Sequence, residues 1–246
     1  MAKLTNLNQA TIPNADGPAQ ALKDFSVKDN NIEVYFLNIK DKLLEKISEA
    51  DIIVGCVAWL TEGSVLKALS AKTGVSIIVQ KEDFLRPDSK RQTKQGLRKL
   101  YRNIPGLPDG RYTKFSPNVT ITDMSMCASP ELDAIRCCGM HNQNRSMAWP
   151  RAHHKFLVFC KLVPMVSMPD SEKMSPSEQY FVKPYAAWTG SYNITNNSIN
   201  SLENAIYLIH SKIAEAYLQE WGQVAGLSEP LNWTDDWVEP EYRIGT

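Results

Sequence analysis

Two short stretches of this chain hold the residue types that phosphoryl-transfer chemistry uses. The first is His153-His154-Lys155-Phe156-Leu157-Val158-Phe159. The second is Thr189-Gly190-Ser191-Tyr192-Asn193, followed by Ser201-Leu202-Glu203-Asn204. Side chains alternate between the faces of a strand, so His153 and Lys155 share one side and His154 takes the other. An imidazole beside an ammonium at a strand end makes a phosphate-shaped site. The imidazole attacks phosphorus or moves a proton near neutral pH, and the ammonium neutralises charge as it builds on phosphate oxygens. The same alternation puts Ser191 and Asn193 together as hydrogen-bond donors to phosphoryl oxygens, and Gly190 allows a close backbone approach. Glu203 is of a type to accept a proton from an imidazole and hold its tautomer. Taken singly, each stretch also fits an incidental strand lead-in or turn; the two together carry the weight.

The elements that must position these residues follow from periodicity. A strand fits Ile32–Leu37. Asp41–Ala50 reads as a helix with Leu43, Leu44 and Ile47 on one face. Asp51–Trp59 is a buried-strand run, a helix opens at Thr61 or Glu62 with Val65, Leu66 and Leu69 facing inward, and Val75–Gln80 is another buried strand. Asp88–Asn103 reads as a basic helix, followed by a turn-rich break from Pro105 to Gly110 and a short strand at Val119–Thr122. The stretch 125–150 shows no clear period. Strands are expected at His153–Cys160, Tyr185–Ser191 and Ala205–Ile209, a loop at 161–180, and an amphipathic helix at Lys212–Val224. Strands alternating with helices predict an α/β chain, an α/β/α sandwich with a mixed, largely parallel central sheet. The expected organisation is a polar N-terminal arm (1–30), one domain (31–227) with an insertion at about 81–150, and an acidic, aromatic tail (228–246).

The paired motifs resemble those of the phospholipase D superfamily, whose signature is H-x-K-x4-D followed by G-S-x-N. The segments MAWPRAHHKFLVF and WTGSYNITNNSINSLENAIYL look like its bacterial nuclease-like members. The run from Ile32 to Gln80 looks like the family's opening strand–helix–strand–helix–strand. Residues 32–80 and 150–225 carry the likeness. The resemblance implies that His153 is the nucleophile that forms a phosphohistidine, that Lys155, Ser191 and Asn193 hold the phosphate, and that Glu203 orients a histidine. It implies metal-independent chemistry with no cofactor. One position departs: the motif's Asp falls at Cys160, which by strand parity lies on the His154 face. The family mechanism needs two histidines and this chain has one His-x-Lys, so two copies are expected to pair about a two-fold axis.

Charge patterning points to the substrate. Lys90, Lys94, Arg98 and Arg102 recur at every fourth position and form one stripe on a helix. Such a stripe is either a solvated face or the footprint of a nucleic-acid backbone. Overall, 27 basic residues balance 27 acidic ones, which excludes a protein coated uniformly in positive charge. The tail from Ser228 to Thr246 carries Trp233, Trp237 and Tyr242 among its acids; it either packs on the domain or covers the basic groove. Cys127, Cys137, Cys138 and His141 match no standard zinc spacing and read as ordinary thiols. No apolar run reaches membrane-span length, the N-terminus lacks a secretory apolar stretch, and five irregularly spaced cysteines suggest a reduced, cytoplasmic setting. The expected function is a nuclease that cleaves DNA or RNA, for which the resemblance implies a bacterial restriction or phage-defence setting, with a homodimeric working unit, a regulatory partner protein and no stable membrane association. Alternatives are a lipid hydrolase using the same site and a non-catalytic nucleic-acid-binding module.

Overall fold

The run Ile52–Val57 is buried along its whole length, which only a strand covered on both faces allows. It sits inside the sheet of a computed structural model that describes residues 5–82, 85, 92–107, 114–115, 133–142, 150–164 and 180–232. In chain order the elements are β1 (Thr11–Ile12), β2 (Gln20–Ala21), β3 (Val27–Asp29), β4 (Ile32–Tyr35), α1 (Ile39–Glu49), β5 (Ile52–Val57), α2 (Gly63–Leu69) and β6 (Gly74–Glu82). There follow α3 (Gln92–Arg102), β7 (Lys114–Phe115), β8 (Ile135–Asn142), β9 (Lys155–Pro164), β10 (Tyr180–Gly190), β11 (Ala205–Leu208) and α4 (Ser211–Gly226).

Among the described residues the main sheet has nine strands in the order β3-β4-β11-β10-β9-β5-β6-β8, with β7 beside β10. It is mixed, as expected, but not largely parallel. Only β5–β6, β6–β8 and β7–β10 run parallel; the other pairs along the sheet are antiparallel. The physical reason is the connections. Parallel pairing needs a crossover, and α2 supplies one between β5 and β6, whereas β9, β10 and β11 follow one another as antiparallel neighbours.

Alternation sorts the strand residues onto two faces. Ile53, Val57, Leu157 and Phe159 join Leu43, Ile47, Leu66, Leu69 and Tyr101 beneath α1, α2 and α3. Ile52, Val54, Cys56, Phe156, Val158 and Cys160 pack under Ala214, Leu218 and Trp221 of α4. The result is three layers, helix–sheet–helix. A bulge between Pro184 and Ala186 shifts the phase of β10, so Val182 faces α4 while Ala186 and Trp188 face the other layer.

Three observations fall in segments whose sequence carries little pattern. In the N-terminal arm, β3 pairs with β4, and the Asn8 amide donates to the carbonyls of Ile199 (2.9 Å) and Ser201 (3.2 Å). Within the stretch 125–150 lies β8, paired to β6. After α4, Glu229 and Cys137 exchange backbone hydrogen bonds of 2.8 and 2.9 Å, and the buried Lys81 ammonium lies 2.6 Å from the Glu229 carboxylate. The expected strand Val119–Thr122 and the tail aromatics lie outside the described residues.

One buried charge cluster pins α1 to the sheet edge. Glu33 on β4 lies 3.2 Å from Lys46 of α1 and 2.7 Å from Lys28, and accepts a hydrogen bond from Tyr35. Burial pushes the Glu33 carboxyl up, but Lys28, Tyr35 and Lys46 outweigh it and hold it at about 2. The folded value is depressed, so this stabilisation is complete above the ordinary 4.5 and fades as pH falls toward about 2. Urea unfolding is expected to show Glu33→Gln destabilised by about 2–3 kcal/mol at pH 7, with the variant losing less stability than wild type between those two values. Equal acid sensitivity in both proteins would refute the assignment.

Candidate active site

The site forms where strand ends of opposite direction meet. Val57 at the end of β5 pairs with Lys155 at the start of β9; Thr189 near the end of β10 pairs with Phe156; Gly190 pairs with Ala205 at the start of β11. One rim of the sheet thus gathers the His-x-Lys stretch, the Gly-Ser-x-Asn stretch and the Glu-Asn stretch, which are far apart in sequence.

β9 begins at Lys155, two residues later than expected. Val57 is the last ladder partner in β5, and the next amide, Ala58, donates to the His154 carbonyl at 2.9 Å as the chain leaves the sheet. The lead-in is held by Gln80, a residue with no motif to mark it. Its side-chain oxygen accepts the Ala152 amide (2.7 Å), and its nitrogen donates to the carbonyls of Met140 (2.6 Å) and Lys81 (2.9 Å). Gly139 leaves room for that amide: its φ is +92°, and a Cβ there would stand 2.5 Å from the Gln80 oxygen.

Alternation persists through this lead-in. The His154 ring turns toward α4, with Nε2 3.2 Å from a Glu220 carboxylate oxygen, and packs edge-on against Phe156. His153 and Lys155 stay together on the other side: Lys155 Nζ lies 3.3 Å from His153 Nδ1, 3.2 Å from Nε2 and 3.1 Å from the His153 carbonyl. Cys160 is fully buried among Phe156, Val158 and α4, on the face opposite Lys155. A carboxylate missing there is therefore missing from the packing layer, not from the His153–Lys155 side.

Across the rim, the Ser191 hydroxyl donates to Glu203 at 2.5 Å and accepts the Asn204 amide at 3.0 Å. Glu203 is thus bonded to Ser191 rather than to His153, and its charge supports the Lys155 ammonium. The reason is the tight turn: the Ser191 amide also bonds the Asn204 carbonyl (3.1 Å), which sets the two side chains next to each other. Asn193 has a buried amide oxygen with no hydrogen-bond partner among the described residues. The 191–194 loop is stitched to the chain leaving β5. Ile194 donates to the Trp59 carbonyl (3.1 Å) and accepts from Thr61 (2.8 Å).

Trp59 completes the site, and no spacing rule singles it out. Its ring meets His153 edge-on, with centroids 5.7 Å apart and planes at 82°, and its N–H donates to Glu82 at 3.0 Å. Lys155 Nζ lies 5.9 Å from the indole centre.

The basic stripe is divided. Lys90 lies outside the described residues, and Lys94 lies in α3. Arg98 is half-buried, with a guanidinium nitrogen 3.5 Å from the Leu231 carbonyl, while Arg102 is exposed at the end of α3. The helix is tied to the rim because the Tyr101 hydroxyl donates to the Leu60 carbonyl at 2.5 Å.

Electrostatics favour an unprotonated imidazole at His153. Burial lowers the His153 imidazole below its ordinary 6.5, and the positive charges of Lys155, Arg151 and His154 lower it further. The shift favours the neutral form of the ring, the form with a lone pair to offer, without removing its ability to take up a proton. Burial also lowers Lys155, against the pull of Glu203. Removing the ammonium takes away one of the effects that lower His153. NMR titration of Lys155→Met is expected to place the His153 midpoint above the wild-type value, closer to 6.5. An unmoved midpoint would show that the ammonium does not act on the ring.

No family model matches the sequence. The chain is 31% identical over 218 residues to uncharacterized protein L381 of Acanthamoeba polyphaga mimivirus, an alignment that covers 84% of this chain and 69% of that protein. Among solved structures it is similar to NucT from Helicobacter pylori, with a TM-score of 0.48 and 10% identity over 81% of this chain and 98% of the other. It is also similar to Nuc from Salmonella typhimurium, a phospholipase D family member, with a TM-score of 0.42 and 15% identity over 80% of this chain and 95% of the other. Polyphosphate kinase from Porphyromonas gingivalis gives 0.44 and 12% identity, over 89% of this chain and 30% of that one.

Proposed function

We propose that this chain, which belongs to the same family as the mimivirus protein L381, is a phosphodiesterase of the phospholipase D type that cleaves nucleic acid at a site shared by two subunits. The observation that carries the reading is the Lys155 ammonium held 3.2 Å from a neutral His153 ring, on a rim that also gathers Ser191, Asn193 and Glu203. In the first step His153 of one subunit attacks phosphorus, forming an N–P bond as the P–O bond to the leaving strand breaks. The His153 of the second subunit, protonated, gives its proton to the departing oxygen. In the second step that same imidazole takes a proton from water, the oxygen of water bonds to phosphorus, and the N–P bond breaks. Lys155, Ser191 and Asn193 neutralise or hydrogen-bond the phosphoryl oxygens throughout.

The basic residues Lys90, Lys94, Arg98 and Arg102 favour a polyanionic substrate. Binding is accordingly expected to weaken steeply from about 50 to 200 mM salt. A cytoplasmic defence or restriction setting, with a partner protein or the acidic tail as restraint, fits an enzyme able to cut nucleic acid. Among the described residues no helix is long and apolar enough to cross a membrane.

The test is incubation of the purified chain, in EDTA, with plasmid, single-stranded DNA, RNA and phosphatidylcholine vesicles. Cleavage of a nucleic acid is the expected result and names the polymer. Hydrolysis of the vesicles alone would replace this reading with lipid chemistry. Binding of nucleic acid without cleavage of anything would replace it with a binding module.

A further inference from the structure

We propose that Trp59, backed by Glu82, is a positioning residue for the His153 imidazole. The inference rests on the phosphodiesterase reading. It starts from a difficulty in that reading: His153 is exposed, ahead of the first ladder residue of β9, where an imidazole is free to rotate about two side-chain bonds. In-line attack needs one orientation of the ring, and a misplacement of about 1 Å costs on the order of 100-fold.

Trp59 supplies the missing wall. Its backbone is fixed on both sides, since the Ala58 amide bonds the His154 carbonyl (2.9 Å) and the Trp59 carbonyl takes the Ile194 amide (3.1 Å). Its indole is fixed as well, because the N–H donates at 3.0 Å to the Glu82 carboxylate at the end of β6. The ring so held meets His153 at 82° and 5.7 Å, an arrangement aromatic pairs favour. The same indole lies 5.9 Å from the Lys155 ammonium, near the outer limit of a cation–π contact. One side chain, anchored from a neighbouring strand, thus limits the motion of both groups that meet the phosphate.

The indole also keeps water from one side of the imidazole, which supports the burial that lowers its titration. The charged or titratable groups that act on the ring are Lys155, Arg151 and His154, with Glu203 acting through Lys155 and Glu82 standing behind the indole. Glu82 therefore acts on the site through Trp59, and Trp59 acts through the His153 ring that it packs against.

The test compares wild type, Trp59→Leu and Trp59→Phe as full chains, by steady-state kinetics, thermal unfolding and NMR titration of His153. Trp59→Leu is expected to lower kcat by about 10- to 100-fold with KM changed by less than about threefold, and to raise the His153 midpoint. Trp59→Phe keeps a ring but not the bond to Glu82. It is expected to lose kcat several-fold at a melting temperature close to wild type. A wild-type kcat and an unmoved His153 midpoint in the Phe and Leu variants would overturn the inference. So would losses of activity that only track losses of melting temperature. The titration needs no turnover, so a wild-type chain that cuts nothing counts against the phosphodiesterase reading, while an unmoved midpoint counts against Trp59.

Discussion

His153→Ala is expected to reduce nucleic-acid cleavage by at least about 1000-fold, because on the proposed mechanism it removes the nucleophile and the general acid in the same substitution. A site shared by two subunits would give a sharper result in mixtures. If each reaction needs His153 from both subunits, a dimer with one altered subunit is as inactive as one with two. Wild type and His153→Ala, co-refolded in equal amounts, are expected to show about a quarter of the activity of wild type alone at the same total concentration. Two independent sites would leave about half. A mixture at half activity would therefore refute the shared site while leaving His153 as nucleophile, and an active His153→Ala would remove the mechanism altogether. The substitution is at an exposed position, so its folded state is expected to match wild type in thermal unfolding.

The second large effect is expected from one methyl group, in Gly190→Ala. Gly190 has φ +155°, and a Cβ there would stand 2.2 Å from the Asn204 carbonyl oxygen and 2.8 Å from the Ala205 Cα. Both obstacles are backbone, at the first residue of the strand paired with Gly190 and the residue just before it, so neither is able to swing aside as a side chain would. Relief requires β10 and β11 to part at the point from which Ser191 bonds Glu203 and Asn204. The expected outcome is a stability loss of about 3 kcal/mol or more in urea unfolding. Residual folded protein is expected to have lost most of its cleavage activity, because the Ser191 hydroxyl and the Asn193 amide move with the turn. Wild-type stability together with wild-type activity would show that the rim tolerates a different backbone path and that its geometry does not set the chemistry.

How much of this was legible in the sequence depends on which residues are considered. The parity of β9 was legible: His153 with Lys155 on one side, His154 and Cys160 on the other, as the contacts of His154 with Glu220 and of Cys160 beneath α4 bear out. So were the buried runs of β5 and β6, the inward faces of α1 and α2 and the existence of α4, because apolar spacing reports burial directly. β8 was not legible. Its sequence, IRCCGMHN, has polar residues among its apolar ones; Arg136 bonds the Ser228 hydroxyl (2.8 Å) and carbonyl (3.0 Å), and that partner lies beyond α4.

The sequence by itself therefore determined which side of an unbulged strand such as β9 a residue faces and which residue types are available for phosphate chemistry. Both are local: alternation follows from the sterics of one strand, and side-chain chemistry from one residue. Tertiary structure decided the rest. It made β9, β10 and β11 antiparallel neighbours, turned Glu203 toward Ser191, brought Trp59 to His153 from the chain leaving β5, and brought Gln80 of β6 to the Ala152 amide just ahead of it. Those outcomes depend on which strands share hydrogen bonds and in what register. That choice is made by burial summed over residues distant in sequence, and no single window of the chain contains it.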